Sequence, residues 1–146
     1  MTLHPIIAAE IFALRPDFMV LSIHVSGGRN GPSDATSEAL LAEAVQSLDA
    51  FPWAEAHLDA WRDAYRAFGA KPKKTPCSAE ALRKRAVKDG AMRPLNAVVD
   101  LYNAVSLRFA VPVGGEDATS YASQPRLCLA TGDEPFHTMA EGQPVI

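Results

Sequence analysis

The sequence lacks the features that define several large classes of protein. It has only two cysteines, Cys77 and Cys128, far apart in the chain, so we expect free, buried thiols rather than a zinc site or a disulfide framework. Its apolar runs are all shorter than the roughly 18 to 20 residues that cross a bilayer. Its N-terminus lacks the basic start of a signal peptide. These absences predict a soluble, cytoplasmic protein with no membrane partner, no metal site and no cofactor.

What the sequence does contain is typical of a folded domain. Hydrophobic residues make up 48% and charged residues 21% of its 146 positions. These values exclude a disordered, collagen-like or low-complexity chain. No internal repeat or linker interrupts the sequence, so we expect one domain over residues 1–146.

Positive charge is concentrated in residues 62–93, which we call the basic segment. It holds ten of the fourteen lysines and arginines and carries +7, whereas the rest of the chain carries −10. Lysine and arginine contacts to phosphate dominate the affinity of proteins for nucleic acid. The segment is therefore either an RNA-binding face or an ordinary solvated helix surface. The candidate RNA-binding residues are Lys71, Lys73, Lys74, Arg83, Lys84, Arg85, Lys88 and Arg93.

The N-terminal part of the chain predicts strands and a loop. Residues 18–25 are apolar and β-branched, with alternate side chains on opposite faces, which is typical of a well-buried strand. The apolar stretch from Ile6 to Leu14 is expected to pair beside it. The segment Ser26–Ser33 contains glycines but lacks the Gly-Lys-Ser/Thr ending of a Walker phosphate-binding loop, so we interpret it as a plain loop.

Helical periodicity dominates the middle of the chain. A helix is predicted over Ser37–Asp49, with Asp34 or Thr36 as its cap. The next helix ends at Gly69. It carries an apolar stripe that we expect to face the core rather than to stack on bases, formed by Leu58, Trp61, Tyr65 and Phe68.

Two further helices follow a rigid basic connector. The first is predicted from Ala79 to about Lys88, with Ser78 as its N-cap and Gly90 at its end. The second runs from Asn96 to Phe109 and is apolar at nearly every position, which predicts burial on most sides.

Three polar residues share one face of this last helix, namely Asn96, Asp100 and Asn103. A buried amide or carboxylate without a partner is costly, so these groups must bond to the backbone or line a polar pocket. Asn96 can be the N-cap, and Asp100 can hold a buried loop. A pocket wall is the alternative, and the spacing alone leaves both interpretations open.

The stretch from Ser78 to Asn103 resembles the tRNA-editing domain of the phenylalanyl-tRNA synthetase beta subunit. It combines a basic helix with the sequence Arg-Pro-Leu-Asn-Ala-Val-Val-Asp-Leu-Tyr-Asn over residues 93–103. The flanking stretches, residues 61–72 and 107–117, resemble more closely the freestanding, single-domain relatives of that domain. The resemblance extends from about Ile6 to Phe136.

The resemblance implies that the chain binds tRNA and hydrolyses the ester of a mischarged aminoacyl-tRNA in trans, as an aminoacyl-tRNA deacylase. It implies a pocket role for Asn103, with Asp100 and Asn96 as further candidate catalytic or structural residues. The chain departs from the pattern where Pro112 is followed by Val113 and Gly114 instead of Leu-His. It also stops before the family's later pocket residues, so we expect a C-terminally truncated domain.

The sequence thus predicts an α+β fold with N-terminal strands, a central run of helices and short strands near residues 126–130 and 135–139. The acids of Thr131–Glu134 are interpreted as part of a turn. No motif places His4, His24, His57 and His137 in one site. The alternative to a deacylase is a module that binds RNA or a small ligand without turnover.

Overall fold

The structure, a computed structural model, describes residues 4–134 and two further strands, Thr138–Ala140 and Gln143–Val145. These residues form a helix-rich protein with small two-stranded sheets, which confirms the predicted α+β class. No helix in the described part of the chain is both long and apolar enough to cross a bilayer.

The chain divides into two compact units, one formed by Met1–Ser22 and Ser123–Ile146, the other by Ile23–Ala122. The expectation of a single domain over residues 1–146 stays a prediction.

The first unit contains the strands. Strand β1 (Ile6–Ile7) pairs in parallel with β2 (Arg126–Leu127), and helix α1 (Ala9–Leu14) follows β1. Strands β3 (Thr138–Ala140) and β4 (Gln143–Val145) pair in an antiparallel manner. The expected strand over residues 126–130 is confirmed at Arg126–Leu127 only, and residues 128–130 are not in a strand. Residues 135–137 of the other expected strand lie outside the described residues.

The predicted strand over residues 18–25 is wrong. These residues are not in a strand, and all their apolar side chains except that of Phe18 are exposed, with Met19 90% and Leu21 83% accessible. The expected pairing of residues 6–14 with this segment is also wrong, because Ile6–Ile7 pairs with β2 and the rest is mainly helical. Alternation of side chains forms a strand only where a second strand supplies backbone hydrogen bonds.

The second unit is helical. Its helices are α2 (Ala35–Gln46), α3 (Ala54–Ala67), α4 (Ser78–Asp89) and α5 (Ala97–Phe109), with a short 3-10 helix at Leu48–Ala50. All four α-helices correspond to helices predicted from the sequence.

Local signals fix the ends of these helices. The Asp34 carboxylate accepts a bond from the Ser37 amide and Ser37 bonds back to Asp34, which forms a capping box at the start of α2. Helix α3 ends in a Schellman motif, in which Gly69 has a φ of +90° and the Ala70 amide donates to the Tyr65 carbonyl. Gly90 ends α4 in the left-handed conformation. These predicted ends are confirmed.

Two predictions about single residues need correction. Ser78 is the first residue of α4 rather than its cap, and Cys77 occupies the cap position without a side-chain bond. Cys77 is buried as expected, but Cys128 is exposed. The reason is that Cys128 follows a two-residue strand whose side chains are themselves exposed.

Two hydrophobic clusters hold the helical unit together. One joins α2, α4 and α5 through Leu41, Ala44, Leu48, Ala86, Ala104 and Leu107. The other joins the start of α3 to the start of α4 through Ala54, Leu58, Cys77, Ala79 and Ala110. Trp61 and Tyr65 pack against the second cluster as predicted, whereas Phe68 is exposed.

Helix α5 is less buried than its composition predicted. Its contacts with α2 and α4 cover one side. The other side leaves four apolar residues 42–46% exposed, namely Val98, Leu101, Val105 and Phe109. The sequence predicted burial on most sides because apolar composition does not reveal how many neighbours a helix has.

Candidate functional site

The loop before α2 is bonded to the N-terminus of α5. The Asn96 carboxamide oxygen caps α5 by accepting from the Val99 amide at 3.0 Å, and it also accepts from Asn30 Nδ2 at 3.0 Å. Asn30 Oδ1 accepts from the Val98 amide at 3.2 Å. The Ala97 amide donates to the Gly31 carbonyl at 3.1 Å. Several amides of the first turn thus find partners, which a helix N-terminus requires.

Asp100 lies one turn further along α5 and is completely buried. Its Oδ2 accepts from the hydroxyls of Ser33 at 2.5 Å and Ser37 at 3.3 Å. Its Oδ1 accepts from the Leu95 amide at 2.9 Å. Burial favours the neutral acid, but these hydrogen bonds outweigh burial and hold the pKa of Asp100 below its ordinary value. Asp100 is therefore a buried, ionised anchor for two loops and the start of α2.

Asn103 differs from its two neighbours on the same face of α5. Its side chain is half-buried, and it makes no hydrogen bond with any other residue in the described part of the chain. A carboxamide offers two donors and one acceptor oxygen. Of the three predicted site residues, Asn103 thus has its polar group available, while Asn96 and Asp100 use theirs within the fold.

The cations of the basic segment fall into two groups. The first group is committed to the protein's own acids. Arg62 bonds Glu55 at 2.5 Å, Asp59 at 2.7 Å and Glu80 at 3.0 Å. Lys84 also bonds Glu80, at 2.7 Å.

Arg83 belongs to the committed group for a different reason. Its guanidinium donates to the carbonyls of Leu48 and Leu107, each at 2.8 Å. Leu48 begins the 3-10 helix and Leu107 lies in the last turn of α5, so Arg83 on α4 joins three elements of the fold. The sequence predicted a phosphate contact here, and the structure uses the guanidinium internally.

The side chains of the second group are exposed and form no ion pair or hydrogen bond with the described residues. It comprises Lys71, Lys73, Lys74, Arg85, Lys88 and Arg93. The structure therefore leaves six of the eight predicted RNA-binding side chains available to a ligand.

The remaining candidates have structural explanations. The Glu134 carboxylate accepts from the amides of Thr131 and Gly132, and these bonds lower its pKa to about 2. The structure assigns bends at Gly132 and Glu134. Among the described residues, no group of three or more His, Cys, Asp and Glu side chains could hold a metal ion. His57 lies 3.3 Å from the Phe109 carbonyl, whereas His137 lies outside the described residues.

Sequence reasoning missed Asn30 and Ser33, which bond to Asn96 and Asp100. The loop was interpreted as a plain loop because its glycines lacked a phosphate-binding ending. The useful signal was the presence of short polar side chains next to those glycines, since Asn and Ser readily bond to backbone and to buried acids.

Comparison with known proteins identifies one related family. The family model of the B3/4 domain matches residues 60–146, which include α4, α5 and the whole basic segment. No curated protein and no solved structure matches the chain.

Proposed function

Because the chain belongs to the B3/4 domain family, which is the B3/B4 region of the phenylalanyl-tRNA synthetase beta subunit, we propose that it binds tRNA and hydrolyses mischarged aminoacyl-tRNA in trans. The family association supports a tRNA-related function. Two features of the described residues support the finer proposal, and they concern binding and chemistry separately.

The binding part rests on the six exposed cations of the second group. Three of them, Lys71, Lys73 and Lys74, lie in the connector between α3 and α4, and Arg85 and Lys88 lie on α4. Exposed side chains without internal partners pay no cost of breaking an ion pair when they contact phosphate. These cations are therefore the proposed phosphate contacts. Their exposure and their lack of ion pairs with the described residues are the main support for tRNA binding.

The chemical part rests on Asn103. Ester hydrolysis by water needs groups that orient the water and donors that stabilise the developing oxyanion. The free carboxamide of Asn103 can do either. Asn96 and Asp100 are positioning residues in this proposal, because they fix the start of α5 and the loops beside it.

A second candidate function is binding of RNA or a small ligand without turnover. The lack of hydrogen bonds at the Asn103 side chain also favours this candidate. No acid or base of the described residues is hydrogen-bonded to that carboxamide, so none is placed there to activate a water molecule. The two candidates share the cationic surface and differ only in chemistry.

The test is tRNA binding and single-turnover loss of the aminoacyl ester, measured on the same protein with a panel of mischarged tRNAs. Binding should weaken with salt, and the slope of log affinity against log salt should fall by about 0.7 to 0.9 for each phosphate contact removed. Lys73→Gln should reduce this slope. Arg126→Gln, an exposed cation outside the basic segment, is the matched control and should not.

The outcomes separate the candidates. Accelerated ester loss on at least one mischarged tRNA supports the deacylase. Tight binding with ester loss at the uncatalysed rate across the panel leaves the binding module. Absence of salt-dependent tRNA binding contradicts the deacylase and the RNA-binding module, and leaves a module that binds a small ligand.

A further inference from the structure

A cleft of about 360 Å³ lies between α3 and α4, within the size range of small-ligand sites. Its lining combines opposite charges, with more cations than acids: it includes Arg62, Arg83, Lys84 and Lys88 as well as Glu55 and Glu80. Val87, which is 71% exposed, adds apolar surface between the two lysines. Asn103 is not among the residues that line this cleft, so its role in the proposed function does not explain the cleft.

Glu80 is the unusual member of this cleft. It is only 4% exposed, and all three donors that reach it bind a single oxygen, Oε1. Oε2 is buried and has no hydrogen-bond partner among the described residues. Burial favours the neutral acid, but the bonds from Arg62 and Lys84 outweigh it and hold the pKa of Glu80 below its ordinary value. An ionised carboxylate with an unused oxygen therefore lies in the wall of a cationic cleft.

The lysines of the cleft are suited to a phosphate. Lys84, Val87 and Lys88 are three and four residues apart on α4, so they lie on one face of the helix. Lys88 is exposed and forms no ion pair with the described residues. Lys84 is 58% exposed at its side chain, although its ammonium bonds Glu80. Its long, exposed side chain can turn from the carboxylate to an incoming anion without unpacking the helix.

We propose that this cleft binds one ribonucleotide unit, with its phosphate on Lys88 and Lys84 and a ribose hydroxyl donating to the Glu80 carboxylate. When Lys84 turns to the phosphate, the hydroxyl takes its place on the carboxylate, so the buried acid keeps its bonds to Arg62 and exchanges one donor for another. Val87 packs against the sugar. Acidic side chains bind ribose hydroxyls in dinucleotide-binding folds for the same chemical reason.

If the bound ribonucleotide is part of tRNA, the inference rests on the proposed function. The cleft would then allow the protein to distinguish RNA from DNA. The 2′-hydroxyl is the group that separates the two nucleic acids at a single site. A free ribonucleoside monophosphate presents the same ribose and phosphate, so the test includes both sources.

The experiment compares the affinities of the full chain for a single-stranded RNA and its 2′-deoxy counterpart, and for AMP and 2′-deoxy-AMP. The wild-type protein should prefer the ribose form about tenfold or more, as expected for a hydrogen bond to a charged group. Glu80→Gln should remove most of that preference. Lys88→Gln should weaken both members of each pair equally, because it affects only the phosphate.

Asp63→Asn is the matched control, because Asp63 is an exposed acid that pairs with Arg66 outside the cleft. It should retain the wild-type preference. Thermal unfolding shows whether Glu80→Gln folds. If this variant does not fold, the inference is tested by the ribose preference of the wild-type protein and by the affinities of Lys88→Gln.

Equal affinity of the wild-type protein for the ribose and deoxyribose forms overturns the inference, as does an unchanged preference in folded Glu80→Gln. If the protein prefers RNA over DNA but does not bind AMP, the ligand of the cleft is a nucleotide within an RNA chain rather than a free nucleotide. If tRNA and RNA fail to bind but AMP is preferred over 2′-deoxy-AMP, the proposed function fails and the cleft stands. If RNA binds with no ribose preference, the cleft fails and tRNA binding stands.

Discussion

The hydroxyl of Ser33 donates a 2.5 Å hydrogen bond to the carboxylate of Asp100, a residue 67 positions later in the chain. This bond holds the loop before α2 against α5. Asp100 also accepts from the Leu95 amide. One buried carboxylate therefore fixes the segment before α2 and the segment before α5, the two helices that pack most extensively against each other.

Asp100→Asn should destabilise the protein by about 2 to 3 kcal/mol, because hydrogen bonds to a charged acceptor are stronger than those to a neutral one. Chemical denaturation at neutral pH measures this change. Asp49→Asn, at an exposed acid, is the control and should change stability by less than about 0.5 kcal/mol. Equal stability of wild type and Asp100→Asn would show that the carboxylate charge contributes nothing to the fold.

Stability should fall in acid because the folded pKa values of Asp100 and Glu80 are lowered from their ordinary values of 3.8 and 4.5. The unfolded chain binds protons first, so their contribution is present above these ordinary values and is lost as the pH falls through the lowered folded values. Denaturation series across this acid range should show the loss. In Asp100→Asn the loss should be smaller, and an identical profile in the variant would contradict the assignment to Asp100.

Substitutions of Arg83 and Lys88 should have opposite effects, because Arg83 is a structural cation and Lys88 is a proposed RNA-binding cation. Arg83→Met removes two hydrogen bonds to carbonyls and should cost about 2 kcal/mol or more. Lys88→Met should change stability by less than about 0.5 kcal/mol and should lower the salt slope of tRNA binding by about 0.7. Thermal unfolding and salt titrations on both variants provide the comparison, and the reverse pattern would refute this division.

Gly90→Ala should destabilise the protein by about 1 kcal/mol, because Gly90 ends α4 with a φ of +67° and an added Cβ strains that conformation. Gly114→Ala is the control, since Gly114 lacks a positive φ and an added Cβ meets no atom within 4 Å. Thermal unfolding of the pair isolates the backbone effect. A similar loss in both variants would contradict this explanation.

Asn103→Ala should slow single-turnover deacylation of mischarged tRNA by about 10- to 1000-fold if its carboxamide bonds mainly to the transition state. Its melting temperature should stay close to that of the wild type, because the side chain makes no hydrogen bond with the described residues. Gln46→Ala removes an exposed carboxamide from α2 and should leave the rate unchanged. A large drop in melting temperature with normal activity per folded molecule would make Asn103 structural.

The helices of the second unit were predictable because their signals are local. The side chains that cap α2 and α5, Asp34 and Asn96, lie within three residues of the amides they bind. The glycines that end α3 and α4 act through their own backbone conformation. Residues 18–25 failed as a strand prediction because a strand depends on a distant partner, which its own sequence does not specify.

In the candidate site, too, local relations could be predicted from the sequence and long-range contacts could not. The sequence is sufficient to place Asn96, Asp100 and Asn103 on one face of a helix, because helical spacing fixes that relation. It also determined that positive charge is concentrated in the basic segment. The sequence does not show that Asp100 is bonded by Ser33 and Ser37, that Arg83 binds carbonyls, or that Lys88 has no partner among the described residues. Those outcomes depend on which residues, distant in the chain, are brought within hydrogen-bonding distance, and a hydrogen bond or ion pair weakens steeply beyond a few ångströms.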